Sequence, residues 1–277
     1  GIGLRLDLAE DTLAHYKEIE TVEVIAEHYF SGRSPRLAEL LEEASANYPV
    51  IPHGVDLSIG STTPIEPWYL DEAKRLTEHL KAPYYSDHFA LTRDGDELDI
   101  GHLSPLWFSA EMLDNVVRRV DQVQQHIGKP LVLENITAGF TIPHADYEEP
   151  EFISEVCRRT GCGMLLDVTN VYINAFNFKH DAQNVLERYP LDSVIQMHLA
   201  GGVIEDDYFF DTHSASISGV NEGVWKYYDW AVRNTPNLKA IIIERDGDFE
   251  PDFEATILRD LRRLKSIWHE VSPVTKH

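Results

Sequence analysis

His53, His88, Glu134, Asp167, His198 and Glu244 each fall at the end of a short apolar run: IPHGV, YYSDHFA, LVLENIT, MLLDVTN, IQMHLAGG and IIIERDG. Imidazoles and carboxylates bind metals, and a β run that stops on one leaves a polar head group to be satisfied at the strand end. A single strand-end histidine is an ordinary core or surface group. Six such ends on separate runs point to one convergent site, and a metal centre of several histidines and carboxylates is the leading reading. The set contains no thiolate, which argues against structural zinc and for iron, manganese or catalytic zinc. It is too large for a single three-ligand ion. A carboxylate such as Glu134 can bridge, so two or three ions are expected.

Two smaller groups lie nearby in the chain. Asn170 stands three residues after Asp167, and Asp211 and His213 stand two apart in FFDTHSA. An extended Asp-x-His puts both side chains on one face. The competing reading of that pair is a solvated turn.

The elements that must position these residues alternate in type. Strands are expected at residues 3–7, 21–28, 50–57, 83–90, 130–137, 163–170, 193–200 and 239–246. Several are unbroken runs of Val, Ile and Leu, the pattern of strands buried on both faces in a parallel sheet. Amphipathic segments such as PRLAELLEEASANY and SAEMLDNVVRRVDQVQQHIG fill the gaps, and Gly128 supplies a helix stop. Eight β-then-α units in 277 residues predict an α/β fold, a (β/α)8 TIM barrel. A doubly wound open sheet is the main competitor, weakened by the lack of a Gly-rich phosphate fingerprint. No linker composition divides the chain, so one domain is expected over 1–270, with 271–277 as a C-terminal tail. The irregular stretch from Gly201 to Glu222 is long enough to suggest a functional loop. In a parallel barrel the carboxyl ends of the strands form the active-site face, where all six residues fall.

A net charge of −23 disfavours nucleic acid or an anionic membrane as a partner and is compatible with cations or a basic peptide. No apolar stretch approaches the ~20 residues of a membrane span, and GIGLRLDLAED has no secretory pattern. The two cysteines, Cys157 and Cys162, match no common zinc or redox spacing and are read as unrelated buried thiols. Such sparse usage fits a reducing, cytoplasmic compartment.

The motifs HGVDLSIGS, SDHFALT, LENIT, LLDVTNVYINAFN, MHLAGG, DTH and IERD, in order over nearly the whole chain, resemble the multinuclear non-haem iron-dependent oxidative enzymes. That once-uncharacterised barrel family includes the iron subunit of methanobactin biosynthesis. The resemblance implies a xylose isomerase-like barrel, two or three irons, and O2 as co-substrate. It implies that His53 and His88 hold one iron, that Glu134 bridges to a second completed by Asp167, His198 and Glu244, and that Asn170, Asp211 and His213 match a third position. It further implies oxidation of cysteine residues in a ribosomally made precursor peptide, with excision of a cysteine β-carbon among the family outcomes, and a small partner protein that reads the leader peptide. The chain departs from the family where Thr169 stands in place of an amide, where SDH replaces Ser-Glu-His, and where Arg245 replaces a tryptophan. Arg245 could grip a substrate carboxylate or pair with a local Asp. A peptide would need a groove, either by strand addition along TVEVIAEHYF or in a pocket lined by Trp68, Trp107 and Tyr208; the competing reading makes these aromatics core or helix-packing residues. A divalent-metal sugar isomerase or epimerase, an endonuclease IV-like phosphodiesterase, and a non-catalytic metal-storage protein are the alternatives on the same barrel.

Overall fold

Val, Ile and Leu runs of four to six residues build most of a closed, all-parallel barrel. In this computed structural model, which describes residues 1–30, 34–95, 98–220, 222–246 and 253–271, its strands are β1 (Ile2–Gly3), β2 (Val22–Ile25), β3 (Val50–His53), β4 (Tyr85–His88), β5 (Leu131–Glu134), β6 (Gly163–Asp167), β7 (Val194–Leu199) and β8 (Ala240–Ile243). Each pairs with its neighbours in chain order, and β8 closes on β1 through Ile2 and Ile243. The expected xylose isomerase-like barrel is thus the observed architecture. Closure removes every edge of this sheet. The proposed strand addition along TVEVIAEHYF therefore fails, because β2 is already paired with β1 and β3.

The observed strands are shorter than their expected ranges and stop close to the candidate residues. His53, His88, Glu134 and Asp167 are the last residues of their strands, His198 is the last but one, and Glu244 follows directly. The largest difference lies after β6. Residues 168–170 are not strand but the first turn of a helix, α1 (Val168–Phe178), despite the β-prone Val168, Thr169 and Val171. Asp167 decides it: its carboxylate caps the helix by accepting from the Asn170 backbone N–H at 2.8 Å. The expected stop holds at Gly128, left-handed after the helix Ala110–Ile127, and Gly161 ends the helix Glu149–Thr160 in the same way.

Two hairpins sit outside the barrel, Ala90–Asp94 with Leu98–Pro105 and Val203–Glu205 with Tyr208–Phe210. The second falls inside the stretch expected to be irregular. Val271 ends the last helix rather than beginning a tail, and 272–277 of the expected tail lie outside the described residues. Cys157 and Cys162 are not unrelated: the buried, free thiols face each other at 3.9 Å, brought together by the left-handed turn at Gly161. Among the described residues no helix is long and apolar enough to cross a membrane.

Candidate metal centre

Strand alternation points His53, His88, Glu134, Asp167, His198 and Glu244 toward the barrel axis at its carboxyl end. All six are buried. They form two groups that share Glu134: His53, His88 and Glu134, and then Glu134, Asp167, His198 and Glu244, with one donor atom per residue lying within 4.8 Å of the others in each group.

The first group is close to an equilateral triangle. His53 Nε2 and His88 Nε2 are 3.3 Å apart, and each is 3.4 Å from Glu134 Oε2. Corners of such a triangle lie about 2 Å from its centre, the usual metal–nitrogen and metal–oxygen distance. His53 is prepared to be a ligand. The Ser86 hydroxyl donates to the Pro52 carbonyl (3.3 Å), so its oxygen is left to accept from His53 Nδ1–H (3.0 Å), and Nε2 carries no proton. Burial, with the neighbouring rings of His88 and His198, holds His53 well below the ordinary histidine range and hence neutral. Burial opposes charge on His88 too, but the Glu134 and Asp87 carboxylates outweigh it and raise His88 to about 9.

In the second group, His198 Nδ1 is 3.2 Å from Glu134 Oε1 and 3.2 Å from Glu244 Oε2. Burial disfavours the imidazolium, yet Glu134, Glu23 and Glu244 together lift His198 well above its usual value. Asp167 is driven well above the carboxylate range by burial and then by Glu134. These opposed shifts arise because acids and imidazoles are crowded into one buried cluster. Several of their atoms are buried with no hydrogen-bond partner, among them Glu134 Oε2, Asp167 Oδ2, His88 Nδ1, His198 Nδ1 and Asn170 Oδ1. Buried polar atoms without partners are costly, and a cation is the group this donor set fits.

The outer members are placed as follows. His213 Nε2 lies 3.0 Å from Glu244 Oε2, and its Nδ1 is 2.7 Å from Asp211 Oδ1, so the Asp-x-His pair is not a free solvated turn. Asp211 is also tied to the Thr137 hydroxyl at 2.9 Å. Asn170 donates its Nδ2 to the Asn135 carbonyl at 3.0 Å, and its orphaned Oδ1 is the atom open to a cation. No group of mutually close donors brings Asp211 or His213 to Glu134 or His53 among the described residues.

Sequence reasoning missed several supports. Glu23 is buried in β2 and forms a further group with His53 and Glu244; its carboxylate lies 3.1 Å from His198 Nε2 and accepts from Gln196 Nε2 at 2.5 Å. An acid between Val22 and Val24, in a strand buried on both faces, was the available signal. Arg5 reaches the cluster, 3.7 Å from Glu244 Oε1, and pairs with Asp246 Oδ1 at 2.5 Å. Arg245, read either as a grip for a substrate carboxylate or as the partner of a local Asp, is buried at 3% exposure. Asn135 extends the sheet where the β5–β6 ladder ends, donating to the Asp167 carbonyl (3.0 Å) and accepting from its N–H (2.9 Å). Thr169, the departure from the family pattern, turns its hydroxyl to the backbone of Ala200 and away from ligand duty.

Trp68, Trp107 and Tyr208 are not core residues, being 50%, 49% and 39% exposed, though Trp68 packs edge-on against Phe30 and Tyr69 from the helix Pro67–His79. Nor do they line the apolar cavity of about 670 Å3 beside the barrel mouth, whose walls include Phe89, Phe108, Ile136, Phe140, Val171 and Phe178.

Comparison with known proteins bears on the family and the fold. Residues 1–269 match the family model described as RiPP precursor modification enzyme MbnB/TglH/ChrH. A UPF0276 protein of Acaryochloris marina is 33% identical over 254 residues, 92% of this chain and 89% of that protein. Another from Anaeromyxobacter sp. is 36% identical over 242 residues, covering 87% and 84%. Among solved structures, L-ribulose 3-epimerase aligns with a TM-score of 0.63 at 13% identity, covering 100% of this chain and 98% of that one. D-psicose 3-epimerase from Clostridium cellulolyticum H10 aligns at 0.61 and 12% identity, covering 97% and 95%. At such identities the epimerases share the fold alone. The chain belongs to the MbnB/TglH/ChrH family of RiPP precursor modification enzymes.

Proposed function

We propose that this member of the family oxidises cysteine residues of a ribosomally synthesised precursor peptide, using two or three irons held in the barrel mouth and O2 as electron acceptor. One observation carries the reading: two buried donor groups meet at a single carboxylate, Glu134. A site built that way suits adjacent ions, and its imidazole–carboxylate, thiolate-free composition suits iron. When bound, iron supplies redox chemistry and an open position at which a cysteine thiolate is stabilised.

The chain's own residues do the rest. Ser86 fixes the ring of His53 and the proton on its Nδ1. Asn135 and the N-cap role of Asp167 hold β5, β6 and the start of α1 in register, so Glu134 and Asp167 keep their relative positions. Asp211 holds the ring of His213 against Glu244. In this reading Asn170, Asp211 and His213 take the third position, and Arg5 balances the negative charge of Glu244. Cysteine β-carbon excision is one product the same site would serve, and a small leader-binding partner protein would present the peptide. The sugar-epimerase reading has only the shared fold behind it.

The test is anaerobic loading of the purified chain with ferrous iron, then O2 and a cysteine-containing peptide. The reading expects O2 uptake matched by a mass change confined to cysteine. Iron-loaded protein that consumes no O2 with any thiol peptide would refute it.

A further inference from the structure

The hairpin after β7 is held on one edge and open on the other. Val203 faces Phe210, Ile204 faces Phe209, and Glu205 faces Tyr208. The turn is Asp206–Asp207, with φ of 48° and 64°, the two-residue turn that matches strand twist. In such a hairpin the residues flanking the turn exchange hydrogen bonds, so Ile204–Phe209 is the wide pair, whose N–H and C=O groups point outward. On the Phe209 side they are taken. Its N–H donates to Asn177 Oδ1 (2.8 Å) and its carbonyl accepts from Asn177 Nδ2 (2.9 Å), so one side-chain amide of α1 imitates a neighbouring strand. Phe209 is fully buried against Tyr172 and Phe176. On the opposite side the corresponding pair belongs to Ile204, 40% exposed, with no backbone or side-chain partner shown among the described residues.

The face opposite Phe209 carries Tyr208 and Phe210, 39% and 44% exposed, with rings 4.8 Å apart. Glu205, Asp206 and Asp207 make the tip acidic and exposed. An open strand edge is ordinarily a hazard that like charges blunt. Two copies of this hairpin would bring six acids together, which disfavours self-pairing. A basic extended chain meets no such obstacle: it gains main-chain hydrogen bonds at Ile204, cation–π contact with the aromatic pair, and the acids at the tip. The hairpin also runs straight into the candidate site, since Asp211 follows Phe210 and His213 stands 3.0 Å from Glu244.

We propose that the outer edge of Val203–Glu205 captures an extended, basic segment of the precursor peptide by strand addition and leads it toward the barrel mouth. This rests on the peptide-modifying reading above and names where that peptide docks.

The probe is a short fluorescein-labelled peptide alternating Lys and Val around one Cys, added to the full chain with and without ferrous iron. Its counterparts carry N-methyl groups on alternate amides, or Glu in place of Lys. Binding is followed by anisotropy and by hydrogen exchange of the Ile204 amide. The expected result is protection of that amide, with binding at least about tenfold weaker for both counterparts and for Ile204→Pro. The pair Asp206→Asn with Asp207→Gly keeps the turn, removes two charges, and should weaken binding even if the proline variant folds poorly. Unchanged affinity in both variants would overturn the proposal. So would Ile204 protection that rises with protein concentration alone, since that assigns the edge to a second copy. Protection without cysteine oxidation would leave the docking intact and sink the oxidative reading. Oxidation with unchanged KM in Ile204→Pro would do the reverse.

Discussion

One step of two residues separates two unlike layers inside the barrel. The lower layer is Ile51, Val132, Leu165 and Ile242, packed with Tyr84; the upper layer, on the same strands, is His53, Glu134, Asp167 and Glu244. The lower layer needs nothing but contact and seals the lumen. The upper layer is equally buried, yet several of its acid and imidazole atoms have no hydrogen-bond partner and are left for a cation. The comparison teaches a division of labour: stability resides one pleat below function. β4 and β7 are the exceptions, with Ser86 beneath His88 and Gln196 beneath His198. Through Gln196 a polar spine runs from the Tyr84 hydroxyl to Gln196 Oε1 (2.6 Å) and from Gln196 Nε2 to Glu23.

The sharpest way to break this division is to cut each layer on neighbouring strands. Glu134→Gln should abolish the shared ligand, with iron content falling below half and turnover dropping on the order of a thousandfold, while urea denaturation of the metal-free protein changes little. Leu165→Ala should do the opposite, costing about 2–5 kcal/mol by denaturation with iron stoichiometry unchanged. If Leu165→Ala emptied the site as thoroughly, the layers would not be separable.

Chelation should act on the upper layer alone. On the iron reading proposed above, chelation leaves the cluster's charges facing one another, so the melting temperature should fall by several degrees and recover on reloading, with tertiary near-UV signals intact. Acid should do the same by competition. With His88 raised to about 9 and His198 also raised, both rings hold protons at neutral pH that a metal must displace. Apparent affinity should therefore climb with pH toward 9 and fall on acidification, by up to about a hundredfold per unit if both protons leave. A competition titration with a metal-indicator dye across that range checks it; a flat profile would mean that neither histidine is a ligand. The smallest effect probes the spine. Gln196→Met strips a donor from buried Glu23 and should cost about 1–3 kcal/mol, against roughly 0.5–1.5 for Ile242→Val in the apolar layer.

Much of this was legible in the residues. The six strand-end groups stood out because apolar runs stopped on them, and the barrel followed from the β–α alternation. Glu23 was hidden because it sits inside β2, between two valines, where an isolated acid reads as one tolerated polar position. The helix after Asp167 was hidden because Val168, Thr169, Val171 and Tyr172 favour strands, and only the Asp-x-x-Asn cap told otherwise. The pairing of Cys157 with Cys162 depended on a left-handed glycine, which spacing rules do not encode. The exposed hairpin was hidden in a stretch whose alternation lasts only three residues a side.

X-ray absorption at the iron edge on the anaerobically loaded protein tests the central claim most directly. Two ions bridged by Glu134 predict an iron–iron scattering shell at about 3.5–4 Å, lost in Glu134→Gln. An iron environment of nitrogen and oxygen alone, with no metal neighbour at full loading, would contradict it.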